Sequence, residues 1–301
     1  MPIEIAAHAG FCMGVRRAVE SAVQVADSGV PSCTLGELIH NPTVVDMLRQ
    51  RGIPPVASAE EAAGRQVLIR SHGVAPEVIR QLENAGCKVV DLTCPFVNKL
   101  HRVVAEDTGE DCPLIMVGER EHPEVKGTCG WARGKVYVVA TAEEAAQLPE
   151  MDQAAAAVQT TFPPERWEAI VAVLRGRVQH LKEHNTICNA TAVRQREAKK
   201  LAAASDAMIV VGGRTSANTH KLFEACKALC PRTILVECAA EIPPAFANIH
   251  SDKIGITAGA STPDGSLEEV ATHMTDNENM AQSSDFTMDA IVATMTRIKA
   301  G

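Results

Sequence analysis

The sequence predicts an α/β fold with parallel sheets. Short apolar runs bounded by turn residues alternate with longer amphipathic stretches along the chain, the pattern left by strands linked through crossover helices. Prolines and glycines punctuate that alternation where helices would begin and end. A cysteine also recurs at apparent strand-to-helix junctions, at positions 12, 94 and 188, with intervals of 82 and 94 residues. Such intervals suit one junction from each of three similar units.

In chain order the strand candidates are Ile3–Ala6, Cys33–Leu35, Val67–Ile69, Val89–Leu92, Leu114–Val117, Val136–Val139, Ala156–Gln159, Met208–Val211, Ile234–Val236 and Lys253–Thr257. Each is short and mostly aliphatic, as a strand covered on both faces must be. The helix candidates between them are Val15–Ala26, Pro42–Gln50, Pro76–Asn84, Val97–Asp107, Pro164–Arg177, Ala192–Ala204 and His220–Leu229. Pro42, Pro76, Pro123, Pro163 and Pro164 sit at or near helix starts, where a missing backbone donor costs least. Gly52 and Gly86 follow two helices and suit the left-handed cap position. Thr275–Asp285 reads as a polar loop and Phe286–Ile298 as a closing helix.

A chain of 301 residues has room for about two domains. Three units of about 90 residues fall below the usual domain size, so they read as subdomains around one interior site. Hydrophobic residues at 46% and charged residues at 22% are ordinary for a globular protein. A net charge of −8 and 3% aromatics argue against a nucleic-acid groove, which needs clustered cations and stacking rings. No apolar stretch approaches a membrane span, and the N-terminus, with Glu4, Arg16 and Arg17, does not read as a signal peptide. A cytoplasmic setting is expected, so the ten cysteines read as thiols rather than disulfides. Cys33, Cys87, Cys112, Cys129, Cys226, Cys230 and Cys238 read as small buried residues.

Cys12, Cys94 and Cys188 differ by position. Ligands in open α/β sheets bind beyond the carboxyl ends of the strands, and all three occupy that edge. Three thiolates meeting there would hold a metal centre and leave one coordination position open; spacing alone leaves buried structural thiols as the alternative. Each is followed within four to six residues by a basic side chain. His40, His72 and His122 also follow strands, beside Asn, Gly or Pro, as zinc ligands or donors to an anion. Gly212–His220 and Ala258–Asp264 form strand, small-residue turn and helix entrance, a setting for phosphate that equally suits plain helix caps. Glu124 is the candidate proton donor, although a first-turn glutamate needs no such role. The Gln159-Thr160-Thr161 turn offers hydroxyls to relay a proton.

Taken in order, Gly10-Phe-Cys-Met-Gly-Val, Glu37-Leu-Ile-His-Asn-Pro, Ser71-His-Gly-Val, Asp91-Leu-Thr-Cys-Pro, Glu121-His-Pro-Glu-Val, Gln159-Thr-Thr, Thr186-Ile-Cys-Asn-Ala-Thr, Thr215-Ser-Ala-Asn-Thr and Ala258-Gly-Ala-Ser resemble the 4-hydroxy-3-methylbut-2-enyl diphosphate reductases. These are the last enzymes of the methylerythritol phosphate route to isoprenoids. The resemblance runs from about residue 3 to 270. It implies three pseudo-symmetric α/β subdomains in a cloverleaf, formed by 13–95, 96–187 and 1–12 with 188–274, leaving 275–301 as a tail. At the centre it implies a [4Fe-4S] cluster on Cys12, Cys94 and Cys188, with one open iron for the substrate hydroxyl.

The same resemblance implies that His40, His72, His122, Ser216, Asn218 and Ser261 bind the diphosphate. It casts Glu124 as proton donor, with Thr160 and His122 beside it in catalysis. Ferredoxin or flavodoxin would supply the electrons, and isopentenyl and dimethylallyl diphosphates would be the products. The chain departs from the usual Asn-Ser-Ser-Asn or Asn-Ser-Gly-Asn loop at Thr215-Ser216-Ala217-Asn218, where Ala217 keeps a backbone donor but lacks a hydroxyl. That leaves room for a related reductase with a different allylic substrate. A quinolinate synthase-like enzyme is the nearest enzymatic alternative, although the His-Pro-Glu and Thr-Ser-Ala-Asn segments point away from it. A non-enzymatic iron–sulfur or zinc regulator needs neither a diphosphate set nor an interior acid.

Overall fold

The computed structural model describes residues 3–247 and 253–275. From the start of the chain, β1 (Ile3–Ile5) leads into α1 (Met13–Asp27). A second run follows: β2 (Ser32–Leu35), α2 (Pro42–Gln50), β3 (Pro55–Val56), α3 (Ala59–Ala62), β4 (Gln66–Ile69), α4 (Pro76–Asn84), β5 (Lys88–Asp91) and α5 (Pro95–Asp107). The third is β6 (Leu114–Val117), α6 (Pro123–Cys129), β7 (Val136–Val139), α7 (Ala142–Ala146), β8 (Met151–Val158), α8 (Pro164–Leu174), β9 (Val178–His184) and α9 (Asn189–Ala203). The last comprises β10 (Ala207–Val211), α10 (Ala217–Lys227), β11 (Thr233–Val236), α11 (Pro244–Ala247), β12 (Ile254–Ala258) and α12 (Asp264–Thr275).

These strands make three four-stranded sheets, and every strand pairing among the described residues is parallel. Counted from the edge strand that precedes a cysteine, their orders are β1-β12-β10-β11, β5-β4-β2-β3 and β9-β8-β6-β7. In the second and third sheets the earliest strand in the chain pairs with the next on one side and with the third on the other. The first sheet repeats that arrangement, with β1 from the start of the chain taking the place that β5 and β9 fill elsewhere. The direction of winding therefore reverses between β10 and β12, between β2 and β4, and between β6 and β8. Such reversals leave a crevice at the carboxyl ends of the two strands.

Two compact units account for the described residues. One holds 3–16, 39–47, 193–247 and 253–275 and contains the first sheet. The other holds Arg17–Leu38 and Leu48–Ala192 and contains the second and third.

The inner strands are apolar because both faces are covered. All five residues of β10 and all four of β6 are fully buried. Side chains alternate between faces: Ile209 and Val211 pack with Val270 and Met274, while Met208 and Val210 pack with Ala198 and Leu222. Ile115 and Val117 meet Trp167 and Ile170, and Leu114 and Met116 meet Leu100 and Val104. Edge strands look different. β9 reads Val-Gln-His-Leu-Lys-Glu-His and exposes most of its side chains, which is why no apolar run marks it. The two-residue β3 and the short α3, α6 and α7 also lack a readable period.

The strands at Leu114–Val117 and Val136–Val139 and the helices at Pro42–Gln50 and Pro76–Asn84 fall as expected. β8 starts earlier than the expected Ala156, since Met151-Asp-Gln at its outer end is polar and partly exposed. The helices expected from Val15, Val97 and Ala192 instead begin at Met13, Pro95 and Asn189. Helical periodicity shows only where a face is buried, and these first turns carry too little buried surface to reveal it. Gly52 and Gly86 do take the left-handed cap conformation, with φ of 84° and 74°. The expected loop beyond Thr275 and the Phe286–Ile298 helix lie outside the described residues.

Candidate active site

Each of Cys12, Cys94 and Cys188 directly precedes the first residue of a helix at least 13 residues long. Their carbonyls accept the first helical bonds, from Arg16 at 2.9 Å, Asn98 at 2.9 Å and Ala192 at 3.3 Å. Each cysteine N–H is tied to the loop after the neighbouring strand. Cys12 donates to Ala260 at 3.1 Å, Cys94 to Ser71 at 3.0 Å and Cys188 to Thr160 at 2.8 Å. Ala260 precedes Ser261, Ser71 precedes His72, and Thr160 is itself a predicted site residue. One backbone bond in each sheet thus couples a cysteine to a loop that carries an expected site residue.

The donor set fits an iron–sulfur cluster. All ten cysteines carry thiols, and these three are partly exposed at the positive ends of helices, where an anion is favoured. Of the seven expected to be buried, Cys33, Cys87, Cys226 and Cys230 are, whereas Cys112, Cys129 and Cys238 are partly exposed. Burial pushes the Cys33 thiol up, and burial with Cys230 nearby pushes Cys226 up to about 12.

In the two-sheet unit, Glu124 and Thr160 form the most specific polar contact. Glu124 is 2% exposed on the first turn of α6. The Thr160 N–H donates to Oε1 at 2.6 Å and its hydroxyl donates to Oε2 at 2.8 Å. Because the Thr160 carbonyl accepts the Cys188 N–H, one residue joins the acid to a proposed cluster ligand. Gln159, fully buried, accepts the Glu119 N–H at 3.1 Å and so ties the β6 and β8 loops together.

His122 caps α6, its Nδ1 accepting the Glu124 N–H at 3.1 Å. The proton of the neutral ring is then on Nε2, which is a donor. The His72 ring lies edge-on to that of His122, with centroids 5.5 Å apart.

Beneath the His72 loop lies a residue that no motif singles out. His101 is 3% exposed, stacks on Trp131 at 5.1 Å, and fills the space under Gly73 that a side chain would need. Gly73 has φ of 69°, so the turn after His72 requires glycine twice over. The Trp131 Nε1–H fastens the same loop through the Val74 carbonyl at 3.0 Å. Burial pulls the His101 pKa down to about 4, against a smaller upward pull from Asp91.

The one-sheet unit brings Cys12, His40, Ser216, Asn218 and Ser261 together. Ser216 caps α10 by accepting the Thr219 N–H at 3.3 Å, which leaves its own O–H to donate elsewhere. Asn218 is the second residue of that helix, which begins three residues before the expected His220. Its buried Nδ2 has no hydrogen-bond partner, the state expected of a donor meant for a ligand. Ser261 donates to the His40 carbonyl at 3.2 Å, and Gly213 packs so closely on that carbonyl that a side chain would collide with it. Ala217, the first residue of α10, contributes a helix-terminal N–H and no hydroxyl.

No helix among the described residues is long and apolar enough to cross a membrane.

The chain is similar to known proteins over most of its length. A reductase of 4-hydroxy-3-methylbut-2-enyl diphosphate from Geobacter sp. (strain M21) is 44% identical over 271 residues, covering 90% of this chain and 95% of its own. The Aquifex aeolicus (strain VF5) protein of the same name is 42% identical over 277 residues, with the same coverage. Among solved structures, that of (E)-4-hydroxy-3-methyl-but-2-enyl diphosphate reductase, titled the terminal enzyme of the non-mevalonate pathway, is 40% identical. It has a TM-score of 0.70 and covers 91% of this chain and 99% of that one. A Plasmodium falciparum reductase structure has a TM-score of 0.83 at 22% identity, covering 99% of both chains, and speaks for the fold alone. The model of the LytB protein family matches residues 3–275, and with cysteines, acid and donors at these strand ends the chain belongs to that family.

Proposed function

We propose that this protein is a 4-hydroxy-3-methylbut-2-enyl diphosphate reductase. It converts its substrate to isopentenyl and dimethylallyl diphosphates, consuming two electrons and two protons and releasing the allylic hydroxyl as water. Family membership and the names of the relatives support the reaction. The observation that carries the assignment of roles is Thr160, which holds both oxygens of Glu124 and the backbone of Cys188.

When bound, a [4Fe-4S] cluster on Cys12, Cys94 and Cys188 supplies the electrons and one Lewis-acidic iron without a protein thiolate. Glu124, excluded from bulk water, holds the proton for the leaving hydroxyl, and the Thr160 hydroxyl fixes its orientation and relays that proton. His122 Nε2–H, His40, His72, Ser216, Asn218 and Ser261 donate to the diphosphate. Ser216, Asn218 and Ser261 are uncharged donors, so half of this set needs no cation to meet an anion. Electrons come from a small carrier such as ferredoxin or flavodoxin. The strand order common to the three sheets also supports dividing the chain near residues 12, 95 and 187.

Anaerobic turnover of hydroxymethylbutenyl diphosphate with a chemical reductant tests the proposal. Formation of both isomeric diphosphates is expected. A reconstituted, iron-loaded protein that forms neither would overturn it, and a colourless zinc-loaded protein would return the regulator reading.

A further inference from the structure

The basic residues that follow the three cysteines have so far had no task. Arg194, six residues after Cys188 on α9, donates from Nη2 to the Gly10 carbonyl 2.8 Å away, two residues ahead of Cys12. Arg17, five residues after Cys12 on α1, donates from Nη2 to the Thr93 carbonyl 2.6 Å away, immediately ahead of Cys94. In both cases the helix opened by one cysteine fastens the backbone that leads into another.

Arg194 has the stronger setting. It is only 4% exposed. A guanidinium stays charged even when buried, and that is costly without compensation. The Gly10 carbonyl satisfies a donor, and the Glu197 carboxylate on the same helix supplies an opposite charge that feels Arg194. The same loop is gripped nearby on both sides. Glu197, one turn along α9, accepts the His8 N–H and meets His8 Nδ1, both at 2.9 Å. Gly10 itself, with φ of 90°, packs so that a side chain would come within 2.6 Å of Asp264 Oδ1, and Asp264 pairs with Arg16 at 2.7 Å. At its end, Cys12 bonds to Ala260. Residues 8, 10 and 12 are thus each anchored, and the central anchor is a buried cation.

We propose that Arg194 is a positioning residue for Cys12: it fixes the loop that aims this thiolate and keeps positive charge close in sequence to an anionic ligand. Arg17 plays the same part for Cys94 from an exposed position, where water competes for the bond. The inference rests on the assignment of the cysteines as cluster ligands, and the test separates the two.

The full chain is reconstituted anaerobically with iron and sulfide as wild type, Arg194→Met, Arg194→Lys and Arg17→Met. Iron release to a chelator is timed, and the order in which cysteines become alkylated is read by mass spectrometry. Arg194→Met releases iron about tenfold faster or more, the usual range for losing a residue that orients a ligand, and Cys12 is alkylated ahead of Cys94 and Cys188. Arg194→Lys, which keeps the charge but not the planar fork, shows the same order with a smaller acceleration. Arg17→Met accelerates release by about threefold at most, with Cys94 leading. Wild-type release from both Arg194 variants, or faster release with all three cysteines reacting alike, overturns the inference. If Arg194→Met does not fold, the order in Arg194→Lys decides alone. A wild-type chain that takes up no iron overturns the cluster assignment itself.

Discussion

The loops after β6 and β8 and the loops after β10 and β12 occupy equivalent places in their sheets, yet they carry different chemistry. The first pair presents a buried carboxylate bound twice by one threonine. The second presents serine, asparagine and helix-terminal N–H groups, with one buried amide nitrogen left without a partner. Topology determines where side chains converge, because both pairs flank a reversal in winding. The residue types determine what each place does. A carboxylate suits proton transfer and repels phosphate, whereas neutral donors suit phosphate and carry no acidic proton.

That contrast is broken most directly at Glu124. Glu124→Gln keeps the size and loses the acid, so turnover should fall by about 10²–10⁴ while substrate affinity stays within a few-fold. Rapid-quench product analysis with parallel binding measurements checks it. Near-normal turnover would remove the acid from this region and with it the difference between the two.

The loop after β4, which carries His72, rests on a support of a different kind, beneath Gly73. His101 is a buried ring beside Trp131, whereas the β10 and β12 loops rest on bonds such as Thr262 Oγ1 to the Val211 carbonyl, at 2.9 Å, which do not titrate. Burial lowers the His101 pKa to about 4 from 6.5, so on acidification the unfolded chain takes up its proton first. Stability is therefore full above pH 6.5 and falls as pH drops towards 4, by about 3 kcal/mol at the limit. Denaturant unfolding from pH 7 to 4, compared with His101→Phe, measures it; equal slopes would show that this histidine does not set the acid limit.

Thr160 sharpens the comparison. Thr160→Val keeps the N–H to Glu124 and the carbonyl to Cys188 but loses the hydroxyl, so kcat should fall about tenfold with KM little changed, and Thr160→Ser should restore most of it. A KM effect without a kcat effect would place Thr160 with the phosphate-binding loops.

How much of this was legible in the sequence depended on burial. Strands such as β6 and β10 announce themselves because both faces are covered. β9 does not, since its outward side chains are those of a solvent-facing edge. The cysteines stood out by their local motifs, and the acid and the donors by their positions after strands. Arg194 showed only as a basic residue six positions after Cys188, and His101 not at all, because their value lies in a carbonyl and a glycine distant in sequence, Gly10 and Gly73, whose bonds and contacts only the fold reveals.

The smallest effects are expected in the Thr215–Asn218 segment that opens α10. Asn218→Ala should raise KM about fivefold to tenfold, the cost of one net hydrogen bond, without changing kcat. Ala217→Ser is the reverse experiment. It adds a hydroxyl at the first residue of α10, next to the capping Ser216, and should lower KM by about two- to fivefold. Steady-state kinetics with the natural diphosphate and with its monophosphate separates two explanations. A gain confined to the diphosphate means that the loop reads the anion and that the chain works one donor short. A gain equal for both, or none at all, means that the helix-terminal N–H groups already saturate the phosphate oxygens there. In that case the neutral region is built from backbone more than from side chains, and its contrast with Glu124 is one of backbone dipoles against a single proton.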